Sequence, residues 1–172
     1  MEWIREKLMG ETCENDIRIL FLEVCMKIQE LSAEIYHRFG DVYGEIPEAA
    51  LLWKKTALEE ENHSKQFELV LRLGDEVEFD IIPADLKRAW HVHGKICKLL
   101  EIVRKKSPDL ISALALAIET EEHLADLHVQ TAVRFRDETV VRLFKAFGRA
   151  DHEHIGALKR YLAILRLPGS EM

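Results

Sequence analysis

Residues 53–67 read Trp53-Lys54-Lys55-Thr56-Ala57-Leu58-Glu59-Glu60-Glu61-Asn62-His63-Ser64-Lys65-Gln66-Phe67, and residues 144–158 read Phe144-Lys145-Ala146-Phe147-Gly148-Arg149-Ala150-Asp151-His152-Glu153-His154-Ile155-Gly156-Ala157-Leu158. The two segments align 91 residues apart, matching Trp53 with Phe144, Ala57 with Gly148, Glu60 with Asp151, His63 with His154 and Phe67 with Leu158. Apolar residues recur at three and four in both, which is the helical period, and no window alternates with the period of a strand. In each segment an acid and an imidazole three residues apart interrupt the apolar stripe, so both project from one helix face about 5–6 Å apart. A second pair of segments, 28–36 and 120–128, aligns at an offset of 92 and matches Gln29 with Glu121 and Tyr36 with His128. An internal repeat of this kind makes each helix pair one unit and relates the units by a pseudo-two-fold axis.

Turn and cap residues set the other elements. Thr12 can cap a first helix that runs to Phe39, where Gly40-Asp41 breaks it. Pro47 opens the second helix and Gly74 closes it. Pro83 opens a shorter helix (84–105) within a crossover over 75–106. Ser107-Pro108-Asp109 reads as cap, first-turn proline and first-turn acid of the third bundle helix. Asp137 caps the fourth, which Leu167-Pro168-Gly169 ends. Four amphipathic stripes need one another to be buried, so the expected fold is all-α: an antiparallel four-helix bundle with a long helical crossover between the second and third bundle helices. The 172 residues suit a single domain, 1–172, with the bundle core over 12–166. The third bundle helix is apolar around much of its girth (Leu110, Ile111, Leu114, Leu116, Ile118), so the crossover helix or a second subunit must cover it, and a homodimer is expected.

Composition narrows the partners. Hydrophobic residues at 48% and charged ones at 32% give a folded balance. A net charge of −7 disfavours nucleic acid and anionic membrane surfaces. No stretch approaches the ~20 apolar residues that cross a bilayer. The charged N-terminus lacks a leader's apolar core, and Cys13, Cys25 and Cys97 are too widely spaced for a Cys-x-x-Cys site, so a reducing cytoplasm is expected.

The polar residues that interrupt the stripes carry the chemistry. Gln29 lies between Cys25 and Ser32, and Glu60 and His63 lie between Ala57 and Phe67. Glu121 lies between Ile118 and Leu124, and Asp151 and His154 between Phe147 and Leu158. Glu59 and Glu61 are expected to point out with Lys55 and Lys65, and His37, His123 and His152 to be solvated. His93 and Cys97, four apart, read as a packed pair. Five ionisable groups and one amide thus project towards one core. Buried carboxylates are costly unless paired or metal-bound, which points to a metal site.

Glu60-Glu61-Asn62-His63, Asp151-His152-Glu153-His154 and Glu121 resemble the ligand pattern of the ferritin-like superfamily. Carboxylate bundles of that kind take an acid from each of two helices and Glu-x-x-His from each of the other two. Within it the chain most resembles the rubrerythrin-like branch, over roughly Thr12 to Leu165, without the Cys-x-x-Cys rubredoxin domain. The resemblance implies a non-haem di-iron centre, with manganese as the other candidate. Glu60 and Asp151 would bridge, His63 and His154 would be terminal imidazoles, and Glu121 a terminal carboxylate. Tyr36 and His128 would stand behind the ligands and orient them by hydrogen bonding. The implied activity is oxidation of ferrous iron with reduction of peroxide or dioxygen, of peroxidase or ferroxidase type, fed by a separate electron-donor protein. Three positions depart from the pattern: Gln29 stands in place of a glutamate, Asp151 is one methylene shorter, and His128 occupies the second tyrosine position. Gln29 is a neutral, weak donor, so the ion nearest the first helix is expected to be the weaker. The competing expectation is a degenerate, metal-poor bundle with a structural or protein-interaction role, in which the acids and histidines satisfy one another.

Overall fold

The computed structural model describes residues 14–74 and 77–167, with side chains from residue 17 onward. Among the described residues five helices follow in order: α1 (Glu14–Val42), α2 (Pro47–Leu73), α3 (Pro83–Lys105), α4 (Leu110–Ala132) and α5 (Glu138–Leu165). α1 packs on α2 and α4 on α5 as two helical hairpins, while α3 lies along α1 and touches α4. The fold is an all-α bundle. Its one strand-like feature among the described residues is a bridge between Phe79 and Phe135. No described helix is long and apolar enough to cross a membrane.

The helix limits follow from local chemistry. Pro47 is the first residue of α2, where its fixed φ fits and its missing N–H costs nothing. Gly74 ends α2 at φ 54, a left-handed conformation that glycine adopts without a Cβ clash. The Asp137 carboxylate accepts from the backbone N–H groups of Thr139 and Val140 and so caps α5. Two limits differ from the sequence reading. α1 runs past Phe39 and Gly40 to Val42, because a lone glycine costs a helix only about 1 kcal/mol and the buried Phe39 ring packs 4.9 Å from Trp53. At α4 the cap is Asp109 rather than Ser107: the Asp109 carboxylate accepts from the Ser112 N–H at 2.9 Å and the Ser112 hydroxyl at 2.7 Å. Pro108 therefore precedes the helix, and its carbonyl accepts from the Tyr43 hydroxyl instead. Thr12, Cys13 and Pro168-Gly169 lie outside the described residues, as do 75 and 76 at the start of the crossover.

The crossover is pinned at both ends. Asp80 N–H donates to the Arg134 carbonyl and Arg136 N–H to that of Glu78, each at 2.9 Å, so residues 77–82 lie against the α4–α5 loop. Arg134 also donates at 3.0 Å to the buried Asp85 on the first turn of α3. At the far end, Arg104 holds Glu34 of α1 through both carboxylate oxygens, at 2.6 and 2.8 Å. α3 covers α4 only in part. A groove of about 260 Å³ runs between Ile96, Leu99 and Leu116, and Ile102 and Ile111 stay exposed.

Two aromatic layers bracket the middle of the bundle. Seven residues of helix rise about 10 Å, so on α2 Trp53 lies below Glu60 and Phe67 above it. Trp53 packs with Phe39 and Tyr36 on α1, and Phe67 with Phe144 and Phe147 on α5. Asp137→Ala should lower stability by about 1 kcal/mol, whereas Asp137→Asn, which keeps an accepting oxygen, should stay near wild type. Denaturant unfolding of the three proteins checks this. Equal losses in both variants would remove the capping account.

Candidate metal centre

Between the aromatic layers the stripe-breaking residues meet. Gln29, Glu60, Glu121, His128 and Asp151 have no exposed surface, and His63 and His154 have at most 5%. Two sets of these residues bring ligand atoms within 4.8 Å of one another: Glu60, Glu121, Asp151 and His154, and separately His63, His128 and Asp151. Asp151 belongs to both. These buried groups can hold a metal ion.

The unmet bonding capacity is specific. Gln29 Oε1, both oxygens of Glu60, Glu121 Oε2, Asp151 Oδ1 and the Nδ1 atoms of His63 and His154 are buried with no hydrogen-bond partner among the described residues. Native interiors leave few such atoms, and each one costs about 1–3 kcal/mol. The separations explain the missing bonds: His63 Nδ1 lies 3.7 Å from Glu60 Oε2 and 4.0 Å from Asp151 Oδ1, and His154 Nδ1 lies 3.8 Å from Glu121 Oε2. Those gaps are too long for hydrogen bonds. They match two ligands sharing one ion, since donors each about 2.1 Å from a metal stand about 3–4 Å from each other. The residues fit a metal better than they fit one another.

Hydrogen bonds from behind fix the rest. The Tyr36 hydroxyl donates to Glu121 Oε1 at 2.6 Å, across from α1 to α4. Its counterpart in the repeat, His128, contacts Gln29 Nε2 at 3.0 Å through Nε2 and Asp151 Oδ2 at 2.7 Å through Nδ1. The His63 ring stacks on Phe147, with centroids 4.6 Å apart.

Electrostatics agree with crowded, dry carboxylates. The Glu60 carboxyl is held well above the usual carboxylate range, first by burial and then by the charges of Glu121 and Asp151. Burial also raises the Tyr36 phenol, as does the adjacent Glu121 charge. His63 is pushed below the ordinary imidazole value by burial. For His154 burial pulls the same way, but Glu121, Glu59 and Glu60 outweigh it and the net shift is upward.

At the cluster the structure corrects the sequence expectation for Glu59. Glu59 does not lie wholly on the solvated face: Oε1 is 3.9 Å from Lys55 Nζ, but Oε2 turns inward and contacts His154 Nε2, and the residue is only partly exposed. The available signal was Thr56, a buried residue one turn earlier on the same side. Glu61 does face outward, bonding His37 at 2.7 Å on the surface. His123 and His152 bond backbone carbonyls at the rim of their own helices, and His93 sits 3.7 Å from Cys97, away from the cluster. No protein family, curated protein or solved structure matches this chain. The geometry of the cluster therefore carries the functional case.

Glu60 makes stability depend on pH in the metal-free protein. Its folded pKa lies above its unfolded value of about 4.3, so the folded state binds that proton more tightly. The contribution therefore falls as pH rises above about 4.3 towards the folded value. Glu60→Gln removes this loss. The variant's stability relative to wild type should grow between pH 5 and pH 8, read by denaturant unfolding in chelator. A constant difference across that range would contradict the upward shift of the buried Glu60 carboxyl.

Proposed function

We propose that this chain is a rubrerythrin-like non-haem di-metal protein that holds iron, with manganese as the other candidate, and oxidises ferrous iron while reducing peroxide or dioxygen. The observation that carries the reading is the set of unpartnered buried atoms on α1, α2, α4 and α5. A self-satisfied ion-pair network, as the metal-poor alternative requires, would leave few of them unbonded.

When bound, a pair of ions that moves between ferrous and ferric states supplies the two electrons that peroxide needs. The chain's own residues prepare the place. Carboxylate oxygens with imidazole nitrogens suit iron and manganese. The thiol of Cys25, one turn before Gln29, is pushed far up by burial and stays protonated, so sulfur ligation from it is disfavoured. Tyr36 fixes Glu121 through one oxygen and leaves the other facing His154. Glu59 contacts the far nitrogen of His154, which keeps the Nδ1 lone pair turned inward. The aromatic layers exclude bulk water on both sides. Electrons from a separate donor protein complete the reading.

Saturating Mn²⁺, or Fe²⁺ without air, should raise the melting temperature, and chelator should reverse the gain. Glu60→Ala should lose the shift. Glu61→Ala should keep it in full, and Glu59→Ala should weaken affinity by about 10–100-fold. A melting curve indifferent to metal in the wild type would favour the metal-poor bundle, and a Glu61 variant weaker than the Glu60 variant would overturn the assignment of faces.

A further inference from the structure

The two halves of the repeat differ at the positions that would hold the second ion. Gln29 replaces a carboxylate, and His128 stands where the other half has Tyr36. Resting on the di-metal reading above, we propose that the second metal position is built from His63, His128 and Asp151, with His128 a direct imidazole ligand and Gln29 a positioning residue behind it.

The distances support this assignment. His63, His128 and Asp151 are all buried and bring their ligand atoms within 4.8 Å of one another, without Gln29. Asp151 turns one oxygen to each imidazole: Oδ2 lies 2.7 Å from His128 Nδ1, and Oδ1, which has no partner, lies 4.0 Å from His63 Nδ1. His63 Nδ1 is likewise buried and unpartnered. The His63 and His128 rings meet edge to face, with centroids 5.2 Å apart. His128 is about 10 Å along α4 from Glu121 and does not share that residue's ion. Asp151, on the neighbouring helix, brings His128 into the second group.

Gln29 then has a role that a glutamate could not fill. In the structure its amide N–H donates to His128 Nε2, which leaves the imidazole proton on Nδ1, facing Asp151. Ligation needs the other tautomer, with the lone pair on Nδ1 and the proton on Nε2. A half-turn of the Gln29 amide presents Oε1, unpartnered in this structure, to that Nε2–H. The proton count on His128 does not change. An amide serves both tautomers, whereas a carboxylate can accept only from the second. Three protein ligands leave an open side on the ion for water or a small oxidant.

The test titrates Co²⁺ into metal-free wild type, His128→Leu and Gln29→Leu, with stoichiometry read by visible absorption and ligation by the hyperfine-shifted exchangeable imidazole N–H signals in proton NMR. Wild type should bind two ions and show three such signals, from His63, His128 and His154. His128→Leu should bind one ion. Gln29→Leu should bind two, with one loosened by about 10-fold or more. Two ions with only two shifted signals in wild type, or two ions still bound by His128→Leu, would overturn this assignment and leave the di-metal reading standing. A wild type that binds a single ion overturns the second position. Binding of none overturns the di-metal reading and this inference with it.

Discussion

Three carboxyl groups, Glu60, Glu121 and Asp151, are buried at the centre of the bundle with oxygens that no described protein donor reaches. That constraint governs everything around them. A carboxylate withdrawn from water must recover its solvation from a donor, a proton or a cation. Donors are few here: Tyr36 serves one oxygen of Glu121 and His128 one of Asp151. Trp53 and Phe39 below, with Phe67, Phe144 and Phe147 above, close the site to bulk water. What remains is a proton, which burial favours at Glu60, or metal ions, which the separations of the ligand atoms suit.

The internal repeat explains how four helices deliver these groups to one place, and its decay explains why the two sides differ. Each hairpin brings one residue from its first helix (Gln29, Glu121) and an acid–histidine pair from its second (Glu60 with His63, Asp151 with His154). Around that shared frame the halves have diverged. Tyr36 has His128 as its counterpart, and Glu59, which touches His154, has Ala150. The changes are coupled in space: the shorter Asp151, the imidazole at 128 and the amide at 29 form one hydrogen-bonded chain. Three departures that look like separate losses in the sequence are one rearranged cluster in the fold.

The helices and their phases were legible because burial in a bundle imposes a period that residue identity reports directly. Pro47, Gly74 and Asp137 marked real ends for the same local reason that makes such residues mark ends anywhere. The end of α1 was misread because Gly40 reports only propensity, and the packing of Phe39 on Trp53 overrides it. The cap of α4 was misread because Ser107 and Asp109 are both capping residues, and only the pairing with Ser112 separates them. Helical phase placed Glu60 and Asp151 in the core but located only the Cβ of Glu59, whose long side chain folds over to His154. The partners of His128 depend on how far α5 is shifted along α4, and no single helix's periodicity contains that register.

The account's central claim is that two ions share this cluster through Asp151. X-ray absorption at the iron edge of the iron-loaded protein tests it most directly. The account predicts nitrogen and oxygen neighbours without sulfur, and an iron–iron distance of about 3.5–4 Å. An isolated iron with no iron neighbour, or iron bound through sulfur, would contradict it.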